Sequence, residues 1–467
     1  MLFKRHLRGF WINVRLAISG NEQDFTAGNI GRAVFLLSVP MILEMMMESV
    51  FAVADIFFVS KLGAEAVSVV GITESLMTIV YALGVGFSVG TSALVSRRIG
   101  EKNKEAGAVV AVQSVILATA VSLIISLVGL LYSTELLILM GASDEAIEMG
   151  ASYTRIMLVS NATIILLFVI NAVFRSAGDA AVSMRVLWLA NGINIVLDPI
   201  LIFGWGFFPA MGVEGAAIAT LIGRGLAVLY QIYLLLKGTN RIKIEKRHLK
   251  FETKIIKKII RISSGGIAQN LISTSSWIFL ISIIASFGSA AVAGYTIAIR
   301  ILLFSVLPSW GMSNAAATLT GQNLGAGKVH RAVRSVQITA LVNMIFLSLV
   351  SIVLISFSEA FIRFFISDPE VIEKGSAGLY YISFSLFAYS IGMVMMQAFN
   401  GAGKTQIPTL LNFICFWLLE IPLAYYLAHV AGYNEKGVYL SIIAGDLLLT
   451  VLALILFKRG KWKTAQV

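Results

Sequence analysis

The segment Asn194 to Gly204, NIVLDPILIFG, sets an Asp directly before a Pro inside a long apolar run, Val186 to Phe208. An ionisable side chain at such depth costs roughly 2.5–3.5 kcal/mol on insertion scales, which makes a functional role its default reading. Pro199 has no N–H to donate, and its ring displaces the carbonyl of Ile195 four residues back. Asn194 lies one helical turn behind Asp198 on the same face. A carboxylate, an amide and a freed carbonyl together offer an oxygen-rich seat for a proton or a small hard cation. A Pro-kinked helix whose Asp merely hydrogen-bonds its neighbours is the competing structural reading.

The first apolar span carries Glu44, Glu48 and Asp55. At about 100° per residue these three fall on one stripe, and three carboxylates cannot face lipid. Counting from the outer span ends at about 1.5 Å per residue puts Asp55, Glu74, Asp198 and Thr220 within roughly 8–12 Å of the outer surface. Four spans therefore bring polar groups to one depth. Carboxylates crowded in a low-dielectric pocket share protons, and their titration belongs to the group. The same oxygens suit Na⁺, so the driving ion stays open between H⁺ and Na⁺. Glu44 and Met47 are candidates for a substrate cavity, while Met45, Met46, Met395 and Met396 are better explained by packing. A second group, Arg300, Glu420 and Asp446, reads as an ion network that fixes helix packing. Arg155 and Arg224 are candidate partners for the acids of the first half.

These residues need a membrane scaffold to hold them. The chain has 467 residues, 58% hydrophobic and 13% charged, against about 25% charged in soluble domains. Twelve apolar spans follow, at about 33–60, 67–95, 107–131, 150–174, 182–205, 212–236, 262–286, 292–320, 335–357, 376–399, 406–430 and 437–457. The net charge of +11 sits in alternate short loops, so it reports topology rather than a nucleic-acid face. Both termini are expected on the cytoplasmic side. The single cysteine, Cys415, excludes a disulfide framework, and the four scattered histidines show no metal-enzyme spacing. No enzymatic activity is expected.

A shift of 225 residues superposes Gly63 on Gly288, Val67 on Val292, Gly100 on Gly325, Phe174 on Phe399, Gly178 on Gly403 and Gly212 on Gly437. The fold expected is an all-α membrane protein with twelve transmembrane helices. They form two parallel six-helix lobes, related by a pseudo-two-fold axis along the membrane normal. The expected divisions are a basic amphipathic cytoplasmic segment at 1–32, a first lobe at 33–236, a basic linker at 237–261 and a second lobe with a basic tail at 262–467. The acids of the first lobe have no counterparts at this offset, so the two lobes do different work.

The run SVPMILEMMMESVFAVADIFFVSKLG, the segment NIVLDPILIFG followed by MGVEGAAIAT, and the later GQNLGAGK and FNGAGKT resemble the multidrug and toxic compound extrusion (MATE) family. The resemblance covers nearly the whole chain after about Phe25. It is nearest to the branch, archaeal members included, that couples through its first lobe. The positions matching that branch's coupling network are Asp55, Asn194, Asp198 and Thr220, with Glu48 at a place usually polar. Another branch puts carboxylates on the seventh and tenth spans, and here Ser263–Ser286 and Ala377–Phe399 contain none. Glu74 rests on depth alone.

The resemblance implies an antiporter, without cofactor, that exports amphipathic and often cationic small molecules against inward H⁺ or Na⁺ by alternating access. It would be a monomer in the plasma membrane with no nucleic-acid partner. The nearest rival is a flippase for lipid-linked sugars or peptidoglycan precursors, which would favour a basic cavity for pyrophosphate. The first lobe is acidic. A polytopic receptor or membrane enzyme lacks support in any signalling domain, nucleophile or metal motif.

Overall fold

The computed structural model describes residues 2–20, 23–238 and 241–464, with the backbone alone for 2–10 and 64. Thr239 and Asn240 of the linker lie outside the described residues. The first helices are α1 (Leu2–Ser19), α2 (Ile30–Ser60), α3 (Ala64–Gly100), α4 (Lys104–Leu139), α5 (Asp144–Val159), α6 (Asn161–Ala177), α7 (Ala180–Phe203) and α8 (Val213–Lys237). A 3₁₀ turn at Lys246–Leu249 precedes α9 (Thr253–Ala285), α10 (Ser289–Gly325), α11 (Val329–Ser356), α12 (Ser358–Phe365), α13 (Pro369–Ser383) and α14 (Leu386–Gly401). The chain ends through α15 (Gln406–Asn412), a π-helical stretch Phe413–Glu420, α16 (Ile421–Tyr425), a second π stretch Tyr426–Val430 and α17 (Glu435–Arg459).

Among the described residues, ten helical spans and one bent pair are long and apolar enough to cross a membrane. The pair is α13 with α14, bent by 54°. The remaining long helix, α2, completes the twelve and carries three acids, Glu44, Glu48 and Asp55, within its apolar length. Three expected spans prove composite, the tenth being the bent pair of α13 and α14. The fourth is α5 plus α6, joined at Ser160, and the eleventh is the α15–α16 series with its π turns.

The chain clusters into two compact units: Met1–Gln23 with Leu43–Ile267, and Asp24–Ile42 with Ala268–Val467. The divisions expected at 32, 236 and 261 fall inside α2, α8 and α9, and the first unit change, after Gln23, lies ahead of α2. The later changes lie inside helices, within α2 and within α9. In the first unit, Gly86 and Gly90 of α3 bring that helix against the start of α9. A side chain at Gly90 would collide with Ser263, and one at Gly86 would stand 3.0 Å from the Ser263 carbonyl. The linker is docked rather than loose. His248 Nε2 lies 2.7 Å from Glu105 Oε2, and the Gln113 side chain bonds the backbones of Lys250 and Glu252 at 2.9 and 3.0 Å.

Internal repetition is visible in backbone angles. Gly63 (φ 106°, ψ 178°) caps α3, and Gly288 (φ 96°, ψ 170°) caps α10, in a region only glycine enters readily. The constant offset fails near the end of each repeat. The residue that opens α8 is Gly212 (φ 55°, ψ −134°), and its conformational counterpart before α17 is Asn434 (φ 51°, ψ −142°), not Gly437. The loop before α17 is shorter than the one before α8, so the register slips there to 222.

Candidate functional site

In the first unit, α7 presents Asn191, Asn194 and Asp198 at steps of three and four, which is one helix face. Asp198 is 0% exposed. The Thr220 backbone N–H can only donate, so the Asn194 amide oxygen faces it at 3.0 Å, with Thr220 Oγ1 at 3.1 Å. Asn194 Nδ2 then donates to Asp198 Oδ2 at 2.9 Å. The amide thus bridges α7 and α8 and holds one edge of the carboxyl group. Asp198 Oδ1, on the other edge, is buried with no hydrogen-bond partner among the described residues.

Close contact between α7 and α8 is what makes this bridge possible. A methyl group at Gly223 would stand 2.7 Å from the Ala190 carbonyl oxygen and 3.3 Å from Asn194 Cβ. Backbone cannot give way as a flexible side chain does. We therefore expect Gly223→Ala to push the two helices apart, at a cost of about 1–3 kcal/mol. Thermal unfolding of the purified protein reads the loss, and wild-type stability would show that the helices absorb the methyl.

Asp55 is half-buried on α2 and makes no hydrogen bond among the described residues. Its charge acts on Asp198, and the charges of Glu74 and Arg224 act on Asp55. Glu74 is exposed on α3, so it belongs to the rim rather than to the buried triad. Among the described residues no three acids, histidines or cysteines converge closely enough to hold a metal ion. The group is therefore a bonded triad of Asn194, Asp198 and Thr220, with Asp55 and Glu74 linked to it through their fields.

Glu48 has separate partners. Asn191 Nδ2 donates to Glu48 Oε2 at 3.0 Å, and Arg224 Nη2 lies 4.0 Å from Glu48 Oε1. Arg224 also lies 3.5 Å from the Tyr81 hydroxyl and 5.5 Å from the centre of the Phe51 ring. Arg155 is exposed and donates to Ser133 Oγ at 3.3 Å, so it partners none of the acids.

Glu44 overturns its expected place in a substrate cavity. It is 1% exposed, and its Oε1 accepts from Arg175 Nη1 at 2.8 Å. Arg175 is equally a correction. Near the end of α6 it reads as a loop charge, yet its side chain turns inward because an unpaired carboxylate at Glu44 would be costly. Met47 is partly buried and Met46 exposed on α2, whereas Met395 and Met396 are buried in the packed core of the second unit.

The expected second ion network does not form. Arg300 is exposed on α10 and makes no ion pair among the described residues. Glu420 is 3% exposed and lies in the field of Asp446, with no cation between them. Opposite charges on neighbouring spans suggest a pair only when their helix faces meet, and these do not.

Asn191 and Arg175 were the residues missed. Asn191 had a usable signal in its spacing of three from Asn194. Arg175 had none, because proximity to Gly178 and the helix end resembles an ordinary cytoplasmic flank.

Ten apolar helical spans, one bent pair and α2, with buried ionisable groups and amides along shared helix faces, define a multi-pass membrane protein of the transporter type. The chain belongs to the MatE family, whose model matches residues 40–200 and 267–426. It is 27% identical over 434 residues to the probable multidrug resistance protein NorM of Thermotoga maritima, covering 93% of each chain. It is also 27% identical to an FAD transporter of Shewanella oneidensis, covering 92% of this chain and 95% of that one. Among solved structures, it resembles a MOP-superfamily transporter from Pyrococcus furiosus with a reversed-polarity binding pocket. The TM-score is 0.87 at 28% identity, over 96% of this chain and 97% of that one. An outward-facing multidrug resistance MATE transporter gives 0.88 at 28% identity, over 93% and 96% of the two chains.

Proposed function

We propose that this transporter is a secondary active antiporter that exports amphipathic, cationic organic compounds by alternating access, driven by protons bound at Asp198. The observation carrying the reading is the Asp198 carboxyl group: buried, held on one edge by Asn194, open at Oδ1, and facing Asp55 without a cation of its own. Two carboxyl groups in one low-dielectric site disfavour simultaneous ionisation, so proton occupancy and a bound organic cation compete for the same charge. Protonation from outside releases the drug, and deprotonation toward the inside readies the site for the next one. The open oxygen and the Thr220 hydroxyl also offer ligands to Na⁺, which makes Na⁺ the second reading.

The test is export from proteoliposomes under separately imposed H⁺ and Na⁺ gradients. The substrates are a panel of lipophilic cations with FAD as the anionic counterpart. We expect export of cations under a proton gradient alone. Export driven only by Na⁺ would replace the proton, and export of FAD alone would reverse the substrate charge. Asn194→Ala is expected to weaken coupling without abolishing it, because the amide positions the carboxyl group and carries no charge. The acidic first unit disfavours the flippase reading, since a pyrophosphate needs cations to receive it.

The transporter is read as a plasma-membrane monomer with both termini cytoplasmic, from the alternation of loop charge. In a Cys415→Ala background, Ser143→Cys should react with an impermeant thiol reagent from outside, and Lys246→Cys only after permeabilisation. The opposite sidedness would invert the proposed direction of proton flow.

A further inference from the structure

The slipped register pairs Gly223 of α8 with Gly445 of α17, and the two glycines do the same work. Gly223 seats Asn194, whose Cβ lies 3.3 Å from where its own methyl would stand. Gly445 seats Glu420, whose Cβ would lie 3.4 Å away and whose Oε2 would lie 2.7 Å away. Glu420 therefore occupies in the second unit the seat that Asn194 holds in the first. The next residue is Arg224 in one unit and Asp446 in the other. Where the first unit sets an amide beside an arginine, the second sets an acid beside an acid.

The local backbone repeats the device as well. Glu420 ends a π-helical stretch two residues before Pro422, whose ring and missing N–H free the carbonyl of Leu418. π-helical turns inside membrane helices concentrate at functional positions. Glu420 is nine-tenths buried or more, packs on Gly445 directly before Asp446 and lies in the field of that acid, and it has no hydrogen bond or ion pair among the described residues. Asp446 is half-buried. The other titratable groups in the field of this pair are Tyr295 of α10, Tyr389 of α14 and Cys415 of the π stretch, all of which are neutral when protonated. Arg300, the nearest cation in the sequence argument, stays exposed.

We propose that Glu420 and Asp446 hold one proton between them and form a second proton-binding site, in the second unit. Two acids without a counter-cation cannot both carry charge in a low-dielectric interior, and a shared proton removes one charge while supplying the missing hydrogen-bond donor. The site stands apart from Asp198 in chemistry and in residues, so it does not rest on the coupling role proposed there.

The test is infrared difference spectroscopy of the purified full-length transporter, titrated with pH, in an Asp55→Asn, Asp198→Asn background. We expect a protonated-carboxyl band that shifts in D₂O and disappears at high pH. Glu420→Gln and Asp446→Asn should each remove it, while Glu74→Gln leaves it in place. If Glu420→Gln fails to fold, Asp446→Asn carries the same comparison, and the background protein alone already reports whether the band exists. Absence of the band, its survival in both variants, or its removal by Na⁺ at fixed pH would each overturn the assignment.

Discussion

Asp198→Asn is expected to insert and fold like the parent and to lose ion-driven export. Amide and carboxyl group have nearly the same shape, so the Asn194 bridge to Thr220 survives. What disappears is the group that can change charge. Initial export rates should fall by about tenfold or more, equal to at least ~1.4 kcal/mol on the barrier. Asp55→Asn should act in the same direction, because the charge of Asp55 bears on Asp198. Glu420→Gln should keep at least part of the export. Glu74, exposed at the rim, is expected to shift the pH optimum if it joins the group and to do nothing otherwise. Transport in proteoliposomes under an imposed proton gradient decides the matter. Full gradient-driven export by Asp198→Asn would sink the coupling assignment.

A second large effect is expected on stability. Arg175→Met leaves Glu44 buried with neither of its oxygens partnered, since Oε2 already lacks a hydrogen bond among the described residues. Breaking a buried pair by removing one partner costs about 3–5 kcal/mol. Replacing both members with apolar groups of similar size avoids the stranded charge, so Glu44→Leu with Arg175→Met should recover most of the loss. Thermal unfolding in detergent reads the cycle. If the double variant is no more stable than Arg175→Met, Glu44 has a role in substrate binding or in packing that the pair does not explain.

Hydropathy made the spans legible because a membrane demands length and apolarity of every crossing helix. It was blind to what happens inside a span. The 54° bend between α13 and α14 and the π turns around Pro422 change helix geometry without changing composition. The triad of Asn194, Asp198 and Thr220 was within reach of helical periodicity plus depth counting, since both follow from fixed rise and twist. The arginines were not. Arg175, which falls just past the end of the expected fourth span, is buried against Glu44, while Arg300, expected in an ion network, is exposed. A long side chain reaches about a turn in either direction, so sequence position leaves the location of its charge open. The repeat was read correctly up to Gly178 and Gly403. Beyond that point the offset grows by one residue to 226 in the eleventh span, with its π-helical stretches, which hides the equivalence of Asn194 with Glu420. Only after the shorter loop does it fall to 222.

The exchange of helix segments between the units bears on how the chain is made. Asp24–Ile42 emerges from the ribosome early, yet the rest of its unit begins only at Ala268. Translation runs at about 5–20 residues per second, so the segment waits on the order of ten to fifty seconds for its packing partners. During that interval the start of α2 has to persist on its own apolarity, with Pro40 already in place. Assembly therefore finishes late and all together, and neither half of the gene encodes a self-sufficient lobe.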